Sequence, residues 1–305
     1  MMEFELFFGG LGFIGQNLLL ERLKTTDRHL VVFDFRKIEL SFSSARVSII
    51  HGDYNNHDDL ENLFKKYKFQ IVFNLFSTTV PSNSNENIPY DIQSNLGVAV
   101  QILILMKKYN APKIVFFSSG GTVYGISKSE KISESHPTHP ISSHGIIKLG
   151  IEKYIEMYGF LHGIEYLILR VSNPYGERHL SKKQGFINVI LRKILANEEI
   201  VIWGDGSVVR DFIYVQDLVK IVNHCCTHGA KNQILNIGSG QGISIREVLN
   251  KIVLMLPMAR VVYKASNLHD VPRVVLDIRK MQDLLDFKLT ELDDGIQNSL
   301  NWYTN

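Results

Sequence analysis

The run Gly9-Gly10-Leu11-Gly12-Phe13-Ile14-Gly15, set directly after the apolar stretch Leu6-Phe7-Phe8, constrains the fold of this chain more than any other feature. Gly9, Gly12 and Gly15 stand where a strand must turn tightly into a helix, where a ligand must approach the backbone closely, and where the helix must pack near the strand. A helix starting here offers unpaired N–H groups and the positive end of its dipole to a phosphate. Asp34 closes the second apolar run, Leu30–Asp34, about twenty residues on, where a carboxylate can accept hydrogen bonds from both hydroxyls of an adenosine ribose. Strand, glycines, helix, strand and acid in this order predict a dinucleotide-binding βαβ unit. The carboxylate favours NAD over NADP, because a 2′-phosphate would meet a negative charge. Arg36, just beyond the strand, keeps the phosphorylated cofactor open, since a guanidinium there can receive that phosphate.

The following residues repeat the alternation. Apolar runs at Leu6–Phe8, Leu30–Asp34, Val47–Ile50, Ile71–Leu75, Ile114–Ser118 and Tyr166–Arg170 read as six buried strands, and helical periodicity appears at 13–24, 57–68, 91–109 and 144–162. The expected fold class is α/β, a Rossmann doubly wound parallel sheet with a smaller C-terminal α/β lobe. After Asn173-Pro174-Tyr175-Gly176 the pattern turns irregular, with a polar insertion at 177–184, helices expected at 185–196, 216–228, 244–255 and 278–286, and strands near 200–203, 234–237 and 260–263. The division expected is residues 1–175 for the dinucleotide, also receiving segments from 205–240, and residues 176–305 for a second ligand. Helices 91–109 and 144–162 are apolar almost all round, so each must bury two faces. One face fits the sheet and the other a second copy of the chain, giving a homodimer; burial under the C-terminal part is the alternative.

Bulk properties remove other classes. With 305 residues, 45% apolar, and 33 Lys+Arg against 31 Asp+Glu, the chain has enough apolar content for a core and a formal charge of only +2. There is no run of five basic residues, so no nucleic acid partner is expected. No stretch reaches the roughly 18 apolar residues of a membrane span, and the first residues lack the features of a secretory signal, so no membrane association is expected. The only cysteines, Cys225 and Cys226, are adjacent and unsuited to an unstrained disulfide, which points to a reducing, cytoplasmic setting. The 11 histidines show no metal-ligand spacing, so no metal is expected.

Ordered blocks then carry a resemblance over nearly the whole chain. They are the Gly9–Gly15 turn, Gly52-Asp53, Asn74-Leu75-Phe76-Ser77, Ser118-Ser119-Gly120-Gly121-Thr122-Val123-Tyr124-Gly125, Lys148 with Glu152, Arg170-Val171-Ser172-Asn173-Pro174-Tyr175-Gly176, Gly204–Val215 and Asn236–Gly240. The chain resembles the extended short-chain dehydrogenase/reductases, in particular the NAD-dependent epimerase/dehydratase family of nucleotide-sugar enzymes. The resemblance implies that Asp53 bonds the adenine amino group and that Lys148 holds the nicotinamide ribose. It implies further cofactor contacts from Phe13, Ile14, Tyr54, Leu75, Phe76, Ser77, Asn95, Ser118 and Val171. For the substrate it implies Thr79, Thr122, Asn173, Arg210 on the diphosphate, Trp203 packing on the base, and Asp270 near the ribose. Trp203 as a core residue, and Asp53 as an ordinary turn aspartate, remain alternatives.

The family's Tyr-x-x-x-Lys pair occupies one helix face, since i and i+4 side chains are neighbours. Here Lys148 is present but His144 takes the tyrosine position, and the position of the family's active hydroxyl falls on Gly120, with Ser119 and Thr122 nearby as substitutes. A neutral imidazole, whose reference pKa is about 6.5, can accept a hydroxyl proton at pH 7. Three readings of His144 stay open: a working acid/base, a lesion that slows the enzyme, or a structural residue beside another acid/base drawn from Tyr124, Ser119 and Thr122. The activity expected is 4-epimerisation of a nucleoside-diphosphate hexose, UDP-hexose favoured, in precursor supply for surface polysaccharide or O-antigen. The alternatives are a nucleotide 4-keto-6-deoxysugar reductase and a non-catalytic protein binding NAD and a nucleotide sugar.

Overall fold

Short apolar runs punctuated by glycine and polar turns become strands here because each is flanked by a helix long enough to cross back over a parallel neighbour. The computed structural model describes residues 3–182, 184–265, 271–285 and 287–304. From the N-terminus come β1 (Phe4–Phe8), α1 (Phe13–Thr25), β2 (His29–Asp34), β3 (Val47–His51), α2 (His57–Lys66) and β4 (Phe69–Asn74). Next are α3 (Ile88–Asp91), a π-helical turn (Ile92–Gly97), α4 (Val98–Lys108), β5 (Lys113–Ser119), α5 (Ser143–His162) and β6 (Glu165–Val171). The six strands expected from the sequence are all present and pair in parallel in the order β3-β2-β1-β4-β5-β6, but β3, expected to be buried, is partly exposed because it forms the edge of the sheet. Order reverses between β1 and β4, and the crevice at the strands' C-terminal ends at such a reversal is where this architecture binds ligands.

The single helix expected at 91–109 is instead three segments. The widened π-helical turn carries Ser94 and Asn95 into the interior, where Asn95 Oδ1 accepts from Thr78 N at 2.9 Å and Ser94 Oγ lies 2.6 Å from Thr78 Oγ1.

The rest of the chain crosses between the sheet and a second layer: β7 (Asn173–Tyr175), α6 (Phe186–Leu195), β8 (Ile200–Trp203), β9 (Val209–Tyr214), α7 (Val215–Thr227) and β10 (Gln233–Ile237). β10 adds to β6 as a seventh parallel strand, and α7 contributes Val215, Leu218, Val219 and Val222 to the core that α1 also covers. Then follow β11 (Gly242–Ser244), α8 (Ile245–Met255), β12 (Val261–Lys264), β13 (Arg273–Val274), α9 (Arg279–Gln282) and α10 (Leu292–Thr304). β9 gathers β7, β11 and β13 into a small mixed sheet. Strands β7, β9, β11 and β13 and helix α10 have no counterpart in the sequence reading, and the helix expected at 278–286 is reduced to α9. No helix among the described residues is long and apolar enough to cross a membrane.

Candidate active site

A cavity of about 790 Å³ runs along the C-terminal ends of the parallel strands, from the glycine turn to Arg210. Its floor is backbone. Gly9 has φ +78°, and a Cβ there would lie 2.9 Å from the Phe76 backbone, so only glycine brings β1's end this close to the loop after β4. Gly12 caps α1 with no side chain covering the first N–H groups, and Phe13 and Ile14 line the opening. Leu75, Phe76, Ser77, Ser118 and Val171 line the same cavity from the ends of β4, β5 and β6, and Tyr54 stacks on Phe76 at 4.7 Å. An uncapped helix N-terminus beside a glycine turn, with the Arg36 guanidinium close to Gly12, fits a dinucleotide diphosphate.

Four expected contacts are placed elsewhere. Asp34 is fully buried, and its carboxylate accepts from Leu11 N at 3.2 Å and from Arg36 N, Nε and Nη2 at 3.1, 2.9 and 2.5 Å. It is thus saturated by its own turn, and Arg36 rather than Asp34 lines the cavity. Asp53 is exposed outside the lining, with its Oδ1 accepting from Asn55 N and Nδ2 at 2.9 and 3.1 Å, an aspartate turn. Asn95 builds the wall without facing the cavity, because its Nδ2 donates to Asp91 Oδ1 at 2.9 Å and to Thr78 Oγ1 at 2.6 Å. Trp203, at the end of β8, is 57% exposed and neither lines the cavity nor belongs to the core; the Lys264 ammonium lies 6.0 Å from its ring centroid. Asp270 lies outside the described residues.

The opposite wall is built from side chains. Ser142 caps α5, accepting from Gly145 N, and this fixes His144 and Lys148 on the helix face turned to the cavity. Burial, reinforced by the Lys148 charge, pulls the His144 imidazole down to about 4, so it is neutral at pH 7. A position in the first turn of a helix also disfavours imidazolium. Burial lowers Lys148 to about 8, against the upward pull of Glu152 and Asp91, and its Nζ donates to Phe117 O at 2.9 Å.

The turn after β5 resolves the missing hydroxyl. A Cβ on Gly120 would point away from the cavity, 2.7 Å from Leu276 Cδ1 and 2.9 Å from Arg170 O. Gly120 does not line the cavity, and a side chain there would meet Leu276 and the β6 backbone first. Ser119, Gly121 and Thr122 are the cavity residues of this turn, and Thr122 Oγ1 is buried with no hydrogen-bond partner. Tyr124 is removed as an acid/base candidate. It is 1% exposed, its hydroxyl donates to Asn236 Oδ1 at 2.6 Å and accepts from Arg170 Nη1 at 3.0 Å, and burial pushes it up to about 12. Arg170 in turn pairs with Glu152 at 2.7 Å, and Glu152 accepts from Ser118 Oγ at 2.5 Å. This buried chain anchors the turn.

Asp91, which sequence reasoning left unassigned, is 1% exposed and accepts from Thr79 Oγ1 at 2.6 Å and Ser143 Oγ at 2.5 Å, tying the cavity's rim to the start of α5. Nothing in its local pattern distinguishes it from a surface helix aspartate. At the far end, Asn173 Nδ2 donates to Asp211 O at 2.8 Å, and Arg210 Nη1 is set by Val271 O at 2.7 Å; both line the cavity.

Residues 6–238 match the model of the NAD dependent epimerase/dehydratase family. The chain belongs to that family. It is 33% identical over 299 residues to a putative UDP-glucose 4-epimerase of Methanocaldococcus jannaschii, covering 97% of each chain. It is 32% identical to a dTDP-4-dehydro-6-deoxyglucose reductase of Escherichia coli, covering 94% of this chain and 93% of the relative. The fold superimposes on the UDP-glucose 4-epimerase of Thermotoga maritima with a TM-score of 0.92 and 25% identity, covering 99% and 98% of the two chains. The protein is therefore an enzyme of the epimerase/dehydratase family, with NAD as its cofactor and the Rossmann-type sheet as its scaffold.

Proposed function

We propose that this enzyme is a nucleotide-sugar 4-epimerase acting on a UDP-hexose, with His144 in the proton-transfer role. The observation that carries this reading is the convergence of a neutral buried imidazole, a buried lysine and an unpartnered buried hydroxyl, Thr122 Oγ1, on one cavity that also holds the glycine turn. The residues of the cradle, from Gly9 to Val171, would hold NAD, which when bound takes a hydride from the sugar carbon and returns it.

The chain's own contribution is proton movement and positioning. Neutral His144 accepts the proton of the sugar 4-hydroxyl through Nε2 or Nδ1 and gives it back to the same oxygen. Lys148, cationic below its pKa of about 8, keeps the imidazole from holding the proton too tightly. Thr122 Oγ1 orients the reacting oxygen, satisfying a hydroxyl that is otherwise costly to bury. Because imidazole is shorter than a phenol, the sugar sits closer to α5 or a water bridges the gap. Arg210 supplies the charge for the substrate diphosphate and Asn173 Oδ1 an acceptor beside it. Remote binding of the nucleotide holds the substrate while the keto sugar turns over.

Relatives titled UDP-glucose 4-epimerase support the UDP-hexose choice. The product is a glycosyl donor, so the reaction consuming it is glycosyl transfer, as in surface polysaccharide or O-antigen assembly. Cys225 and Cys226 are free thiols, in keeping with a cytoplasmic enzyme. The exposed apolar side chains of α5, Ile146, Tyr154, Met157 and Phe160, and Ile104 of α4, support a homodimer through these helices; light scattering on Phe160→Glu, expected to give a monomer, tests it.

The dTDP-4-dehydro-6-deoxyglucose reductase relative favours a second reading, reduction of a 4-keto sugar. Incubation with UDP-, GDP-, CDP- and dTDP-hexoses separates the two. Epimerised UDP-hexose, with only transient absorbance of reduced cofactor, is the expected result; stoichiometric consumption of added NADH on a 4-keto sugar would replace it with the reductase.

A further inference from the structure

The polar insertion at 177–184 has no part in the chemistry above, yet its first four residues are fastened to several elements around the cavity. Asn17, on α1 and 1% exposed, donates to Glu177 O at 2.9 Å and accepts from Arg178 Nη1 at 3.1 Å. Gln216 Nε2 bonds both Asn17 Oδ1 and Glu177 Oε2, at 3.0 and 3.2 Å. Tyr303 Oη holds His179 O at 2.6 Å, and Arg178 Nε reaches Ser41 Oγ at 3.1 Å, on the loop after β2. Residues 177–180 thus bridge α1 and the β2 loop, the two elements that flank the glycine turn.

Three features of this bridge call for a ligand. Arg178 adopts φ +65°, a conformation that costs a non-glycine residue of order 1 kcal/mol or more. Its guanidinium, half-buried and lowered by that burial against the upward pull of the neighbouring Glu177 carboxylate, makes no ion pair among the described residues, although it bonds Asn17 in the N-terminal half of α1. A cation at the positive end of a helix dipole is unfavourable without an anion between them. His179 is 6% exposed and lines the cavity, its ring centroid lies 4.4 Å from that of Phe13 in a T-shaped contact, and its Nδ1 has no hydrogen-bond partner among the described residues.

We propose that residues 177–180 form a strap over the dinucleotide, in which Arg178 supplies a cation to the diphosphate opposite the α1 N-terminus and His179 completes its polar lining. The strap makes NAD slow to leave, because release requires Arg178 to give up its latch to Asn17 and Ser41. This goes beyond the proposed reaction and holds whichever sugar is bound.

The test is retention and exchange of NAD, independent of turnover. Arg178→Gln keeps the backbone demand at this position while removing the charge, and Arg178→Lys restores the charge without the fork. Purified Arg178→Gln is expected to retain less NAD and to exchange it for labelled NAD about tenfold faster or more, the loss of one charge-assisted contact, with Arg178→Lys between it and wild type. Affinity for ADP-ribose should fall with that for NAD, while affinity for adenosine stays unchanged. Wild-type exchange in Arg178→Gln would overturn the proposal. So would equal weakening of adenosine and ADP-ribose, since the strap would then act only by packing. A protein that epimerises nothing yet shows the charge-dependent exchange would leave the strap standing and remove only the sugar assignment.

Discussion

The two walls of the cavity are made differently. The cradle is centred on one short run, Gly9–Gly15, whose backbone ends β1, opens α1 and packs against the loop after β4. The opposite wall collects side chains from residues far apart in the chain, His144 and Lys148 on α5, Thr122 after β5, Asn173 and Arg210 beyond β6. Backbone sites tolerate no Cβ but are indifferent to most neighbouring side chains; side-chain sites survive on packing and lose function one residue at a time. Binding and turnover should therefore be separable by mutation.

The largest separation is expected from Lys148→Met, which should lower turnover by about a thousandfold and leave the fold and most NAD binding in place. If it instead unfolds the protein, as circular dichroism would reveal, the side-chain wall is structural and the contrast fails. Gly9→Ala should do the reverse, cutting NAD retention by about a hundredfold or more, because it combines φ +78° with a 2.9 Å approach to the Phe76 backbone. Calorimetric titration with NAD checks it. Thr122→Val, which keeps the shape and removes the unpartnered hydroxyl, should cost about ten- to a hundredfold in kcat with NAD affinity unchanged.

Gly120→Ser sharpens the contrast from the other side. Restoring a hydroxyl at the motif position should give no gain in rate and should destabilise by about 1–3 kcal/mol in urea melts, since the new Cβ meets Leu276 and Arg170 O. A rise in rate would show that position 120 turns toward the substrate after all. The remaining effect is in pH. His144 and His179 are both lowered by burial to about 4, against about 6.5 when unfolded. Above pH 6.5 neither contributes a pH dependence. As pH falls from 6.5 toward 4 the unfolded chain binds protons the folded one refuses, so stability falls, by at most about 3 kcal/mol per histidine. His179→Phe should lose less stability than wild type between pH 7 and 4.5.

What could be read from the sequence follows the same division. The strands of the parallel sheet stand out because a strand buried on both faces is a continuous apolar run, and the glycine turn because its geometry admits one residue type. The strands of the small sheet are short and mixed in polarity, so β7, β9 and β13 are held by pairing partners distant in the chain, which local pattern does not encode. The site behaves likewise. His144 and Lys148 are legible through the resemblance to the family's Tyr-x-x-x-Lys pair, whose i, i+4 spacing puts both on one helix face. The direction in which Gly120 faces depends on Leu276, more than a hundred residues away, and Asp34 is withdrawn by an arginine that the sequence places beside it without fixing its rotamer. The buried Asp91 carries no signal except through the hydroxyls it holds.

The central claim is that a neutral His144 performs the proton transfer in an NAD-dependent epimerase. It is tested most directly by following UDP-glucose with wild type and His144→Phe in parallel by proton NMR, with no added cofactor and bound NAD quantified in both. The account predicts that wild type yields the C4 epimer without net reduction of cofactor, while His144→Phe keeps its NAD and slows by about a hundredfold or more. Equal rates of epimerisation in the two proteins would contradict it.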